Sequence, residues 1–188
     1  MADKQFTVES AEVVHRGAIV HTEVLSVRTP EGDLVERQVV RHPGAVAVVA
    51  IHNGDVVLVE QYRAALDANL IEIPAGKRDI AGEALEIAAA RELVEEVGLE
   101  PRSLTHLGTF VTAAGFSDED IAIFFSDDCV DVGRAVDGVE EAHSVVHHVP
   151  VAKIGPWLVD GRIADAKTLI GLYWARDKGL IDFSPIFE

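Results

Sequence analysis

Arg91, Glu92, Glu95 and Glu96 fall within two helical turns of one another in the segment GKRDIAGEALEIAAARELVEEVGL, which runs from Gly76 to Leu99. At about 100° per residue, positions three and four apart are neighbours on a helix, so the three glutamates share one face. Like charges at this spacing repel by about 0.2–0.5 kcal/mol per pair in an isolated helix. Three together need open water or a counter-charge. A hard divalent cation would supply one, because it takes oxygen ligands, keeps several waters and leaves positions for phosphate. From the carboxylates alone, a solvated acidic face is the competing reading. Ala90, Leu93, Val94 and Val97, extended backward by Ile87, read as the apolar stripe on the other side.

The flanks of this helix set its context. Pro74-Ala75-Gly76 precedes it, with a glycine expected to turn sharply and let the backbone approach a ligand. Gly98 follows the last turn, where a C-terminal cap is expected. Arg91 can grip a carboxylate such as Glu83 in forked geometry, orienting the loop against the helix. An ordinary surface ion pair is the alternative.

The other elements alternate. Phe6 to Val14, Ala18 to Val27 and Leu34 to Arg41 are rich in β-formers, with the turn Pro30-Glu31-Gly32-Asp33 between the second and third. Ala45 to Ile51 and Val56 to Gln61 flank Asn53-Gly54, a hairpin signal because both residues accept positive φ. Further strands are read at Leu70 to Ile73, Leu107 to Thr112, Ile121 to Phe125 and Val145 to Val149. Helices are read at Val151 to Val159 and Ala166 to Ala175, the latter capped by Asp165. This order predicts an α/β (α+β) sandwich, with helices on a mixed sheet and a separate N-terminal antiparallel sheet.

Composition narrows the function. The 188 residues are 48% hydrophobic, enough for one well-buried core. A formal net charge of −16 argues against a nucleic-acid or anionic-membrane partner. The single Cys129 has no disulfide or metal-spaced partner, and the opening MADKQFTVES is charged where a secretory signal would be apolar. A cytoplasmic protein is expected. Among the eight histidines, His147 and His148 lie on one strand and cannot face the same way. Trp157, Tyr173 and Trp174 read as packing residues, whereas Phe6 is a candidate to sandwich a base.

The glutamate segment resembles the signature of the Nudix hydrolases, carried here by Gly76, Glu83, Arg91, Glu92, Leu93, Glu95, Glu96, Gly98 and Leu99. It departs in one place: six residues separate Gly76 from Glu83 where five are usual, and Gly82 stands where glutamate is expected. Some family members acting on ADP-ribose share this extra residue. The resemblance covers most of the chain from about Ala45. It implies a Nudix fold, with residues 44–188 as the catalytic domain and 1–43 as a β-sheet subdomain that serves homodimerisation.

For the site, the resemblance implies Mg²⁺, with Mn²⁺ as the substitute, held by Glu92, Glu95, Glu96 and the Ala75 carbonyl. Arg91, Glu96 and either Glu140 or Glu141 form the catalytic group, one of the last two serving as base or metal-positioning residue. The segments around Arg63, Glu72, Gly115 and Glu119 resemble substrate contacts of the ADP-ribose pyrophosphatases, although Ala114 replaces a proline typical of that group. The implied substrate is a small nucleoside diphosphate sugar, foremost ADP-ribose, cleaved to AMP and ribose 5-phosphate. Alternatives are NADH, a dinucleoside polyphosphate or GDP-mannose, or a non-catalytic ADP-ribose sensor.

Overall fold

The computed structural model describes residues 5–135 and 142–184. Backbone contacts divide the chain into two compact units: Met1–Gly44 with Val111–Asp120, and Ala45–Phe110 with Ile121–Glu188.

In the first unit, β1 (Thr7–Arg16), β2 (His21–Arg28) and β3 (Leu34–Arg41) form an antiparallel sheet in that order. Strand β2 starts later than its sequence suggests because Gly17 to Val20 closes a turn, the Gly17 N–H donating to the Val20 carbonyl at 2.9 Å. Gly32 adopts a φ of 95° in the next turn, donating to the Thr29 carbonyl at 3.0 Å. The 111–120 segment joins this unit through the Val40 N–H, which donates to the Phe116 carbonyl at 2.7 Å.

The second unit contains β4 (Ala45–His52), β5 (Asp55–Arg63), β6 (Ala68–Glu72), β7 (Ala75–Lys77), α1 (Leu85–Val97), β8 (Leu99–Pro101), β9 (Thr105–Val111), β10 (Asp120–Ser126), β11 (Cys129–Asp131), β12 (Val145–Pro150), α2 (Val151–Val159) and α3 (Ala166–Asp177). Its mixed sheet runs β12-β5-β4-β10-β9, with β6 added to β5 and β7 to β4. Strands β4 and β10 are parallel; β5 joins β4 by the expected hairpin, with Asn53 at φ 53° and Gly54 at φ 86°.

Alternation along β4 divides the core. Ala45, Ala47 and Val49 pack with Ile154, Leu172 and Ala175 of α2 and α3. Val46, Val48 and Ala50 pack with Ala88, Ala89 and Leu93 of α1. Strand β10 follows the same rule, with Ile121, Ile123 and Phe125 on the first face and Ala122 and Phe124 on the second. A sheet buried on both faces explains why these strands are almost wholly apolar. Leu93 is completely buried. Leu93→Ala is expected to cost about 2–5 kcal/mol of stability, read from urea unfolding.

The helix α1 departs from its expected apolar stripe. Ala88, Ala89 and Leu93 meet the sheet, while Ile87 is 61% exposed. Glu92 and Glu96 are buried. The side of the helix carrying them faces β7, a short strand where a loop is expected from sequence. Gly98 caps the end at φ 73°, donating to the Leu93 and Val94 carbonyls. Among the described residues no helix is long and apolar enough to cross a membrane.

Candidate active site

Two backbone features place the glutamates. The Ala75 N–H donates to Glu96 Oε2 at 2.9 Å. One residue on, the Glu92 carboxylate lies directly against Gly76, so closely that a Cβ there would stand 1.8 Å from the Glu92 carboxyl carbon. Gly76 therefore makes room for a carboxylate; its φ is not positive, and the sharp turn expected at this glycine does not occur.

Arg91 sits among the acids. It grips Glu83 with Nε at 3.2 Å and Nη2 at 3.1 Å, while Nη1 donates to Glu92 at 2.8 Å and Glu95 at 3.0 Å. The Glu83 fork and the Glu92 and Glu95 charges raise the guanidinium pKa against the opposing effect of burial. The residue added to the spacer before Glu83 is taken up by a turn in which Gly82 has φ 79° and the Glu83 N–H donates to the Ile80 carbonyl at 3.2 Å. Glu83 thus still reaches Arg91.

Burial pushes the Glu92 carboxyl above the usual carboxylate range, even against Arg91. Among the described residues, acidic, histidine and cysteine side chains do not converge in threes as a finished cation cage. The donor set nevertheless suits a hard divalent ion: every donor is oxygen, and two buried carboxylates one turn apart, Glu92 and Glu96, line the β7 backbone. Carboxylates are costly to bury without compensating charge.

Arg63 and Glu72 belong to an adjoining network. Glu72 is 1% exposed, and Arg63 holds it through Nε at 2.7 Å and Nη2 at 2.5 Å. Lys167 Nζ meets the same carboxylate from α3. Lys167 is not legible in the sequence, because one lysine near a helix start carries no spacing signal. The Arg63 pKa is raised by this fork, with further contributions from the charges of Glu96 and Asp165.

Burial raises the Glu72 carboxyl, but Arg63 and Lys167 outweigh it and hold the group below the usual range. A depressed carboxyl pKa stabilises the fold above its unfolded value of about 4.3, and that contribution is lost as pH falls through the folded value. Urea titrations between pH 3 and pH 6, roughly spanning this window, are expected to show a steeper acid loss for the native protein than for Glu72→Gln.

Gly115 and Glu119 lie in the first unit. Glu119 accepts from the Thr112 hydroxyl at 2.7 Å and stands 3.5 Å from His42 Nδ1. Gly115 has open space around its Cβ position and no positive φ, so this turn does not itself require glycine. Glu140 and Glu141 lie outside the described residues. His147 and His148 do diverge: His147 bonds Glu60 at 2.9 Å, and His148 stacks edgewise on His52 at 6.1 Å. Trp174 packs edgewise against Phe110, and Trp157 carries the Arg162 guanidinium at 4.4 Å. Phe6 is exposed.

Residues 41–169 match the family model described as the NUDIX domain. The chain belongs to the Nudix family. It is 39% identical over 173 residues to the ADP-ribose pyrophosphatase of Mycobacterium tuberculosis (strain ATCC 25618 / H37Rv), covering 92% of this chain and 84% of that protein. It is 36% identical over 166 residues to the methanol dehydrogenase activator of Bacillus methanolicus, covering 88% and 89%. A crystal structure of an ADP compounds hydrolase shares this Nudix fold, with a TM-score of 0.79 at 24% identity over 94% of this chain and 96% of that one. Nudix hydrolases generally need a divalent metal, and the buried oxygen donors of α1 suit one.

Proposed function

We propose that this Nudix protein hydrolyses the pyrophosphate of ADP-ribose, giving AMP and ribose 5-phosphate, with Mg²⁺ as its metal. The observation that carries this reading is the burial of Glu92 and Glu96 against β7. The similarity to a pyrophosphatase of that specificity supports the substrate.

When bound by Glu92, Glu95, Glu96 and the Ala75 carbonyl, the divalent ion supplies Lewis acidity that offsets phosphate charge and activates water. Arg63 presents a planar guanidinium to a phosphate oxygen. Arg91 holds Glu83, Glu92 and Glu95 in place. Glu140 or Glu141 takes the proton from the attacking water. The protein works as a cytoplasmic homodimer joined through the N-terminal sheet of residues 1–43, whose Val8, Val14 and Leu34 are exposed.

A second reading keeps the chemistry and changes the nucleotide. It is favoured by Ala114, which stands where the ADP-ribose group carries a proline. Turnover of ADP-ribose, NADH and GDP-mannose, with and without Mg²⁺, separates the two. The expected outcome is Mg²⁺-dependent AMP release, with the highest kcat/KM on ADP-ribose. A higher value on NADH or GDP-mannose would overturn the substrate, and binding without turnover would favour a sensor.

A further inference from the structure

We propose that Lys167 is a positioning residue for phosphate binding: from the first turn of α3 it clamps the Glu72 carboxylate and so fixes the guanidinium of Arg63. The inference deepens the proposed function and rests on it.

The geometry begins with Arg63. Nε and Nη2 are both committed to Glu72, whereas Nη1 makes no hydrogen bond to any described residue. The side chain is 40% exposed. Arg63 is thus pinned along one edge, with donor capacity left for an anion on the other. Such a fork is only as fixed as the carboxylate it grips, since a free arginine side chain samples many rotamers.

Glu72 is held from behind. Lys167 meets Oε2, the oxygen that Arg63 Nη2 also contacts, and is 11% exposed, so it is no ordinary solvated lysine. Its ammonium is in turn placed by Asp165 Oδ2 at 3.2 Å. That oxygen also accepts from the Thr168 N–H at 2.9 Å and the Thr168 hydroxyl at 2.7 Å, the cap that starts α3. The Ile73 N–H donates to Thr168 Oγ1 at 2.9 Å.

One helical turn therefore grips two consecutive residues, Glu72 through its side chain and Ile73 through its backbone. The chain continues through Pro74, whose carbonyl accepts from the Val48 N–H at 2.9 Å, to Ala75 and Gly76, where Glu96 and Glu92 lie. Lys167 acts at the start of this path, and its effect on substrate passes through Arg63. A lysine that merely staples helix to strand would stabilise the fold without that dependence.

The test measures binding of a non-hydrolysable ADP-ribose analogue by calorimetry in saturating Mg²⁺, where turnover cannot occur. It compares the native protein, Lys167→Met, Arg63→Met and the double variant. Lys167→Met is expected to weaken binding about tenfold, and to add less than about twofold once Arg63 is already replaced. Binding by Lys167→Met within about twofold of native, or losses that multiply in the double variant, would overturn the inference. If Lys167→Met does not unfold cooperatively, Lys167→Gln, which keeps a donor without the charge, is measured by the same criteria. A native protein that binds no analogue in saturating Mg²⁺ would overturn the proposed substrate and this inference with it. Native binding unaffected by the lysine substitution would overturn the inference alone.

Discussion

Glu96→Gln is expected to lower kcat on ADP-ribose by about 10³-fold or more at saturating Mg²⁺, with the circular dichroism spectrum and Tm close to native. The amide has the same size, and its oxygen can still accept the Ala75 N–H that Glu96 Oε2 accepts at 2.9 Å. What the substitution removes is charge at a buried position, 4% exposed. A loss of that size corresponds to about 4 kcal/mol of transition-state stabilisation, within the range a catalytic cation supplies. Near-normal turnover would mean that Glu96 merely ties α1 to β7.

Gly76→Ala is expected to lower turnover by about 10²-fold with a smaller effect on stability, because displacement of a positioned group by about 1 Å can cost this much. The added Cβ would overlap the Glu92 carboxylate, with its carbon at 1.8 Å and its oxygens at 1.9 and 2.4 Å. The carboxylate must move, breaking its 2.8 Å contact with Arg91 Nη1. Kinetics at several Mg²⁺ concentrations check this: the apparent metal requirement should rise. A variant with native kinetics and an unchanged metal requirement would show that the Glu92 position is not critical.

These two residues also indicate what sequence could reveal. The β4–β5 hairpin was legible in Asn53-Gly54, because that dipeptide pays little for positive φ, and the Gly98 cap was legible for the same reason. The role of Gly76 was not. A glycine in sequence suggests conformational freedom, whereas here it removes a side chain that would occupy the space of Glu92. The burial of Glu92 and Glu96 was likewise hidden. Helical periodicity groups them as an acidic face, but only the pairing of β7 with β4 puts backbone beside that face.

Strands β7, β8 and β11 span three residues each, too few for a repeating pattern to register. The clamp on Glu72 joins residues ninety-five positions apart, a separation at which local spacing carries no information. Arg91 shows the opposite case. Its grip on Glu83 follows from one helix and the turn before it, so charge and spacing were enough to suggest it.

The most direct test is anomalous diffraction from crystals soaked with Mn²⁺ and a non-hydrolysable ADP-ribose analogue. The expected result is a metal peak within about 2.0–2.6 Å of carboxylate oxygens of Glu92 and Glu96, bridging to the analogue's phosphates. Bound analogue with no metal peak on that turn of α1, or with manganese held only elsewhere, would contradict it.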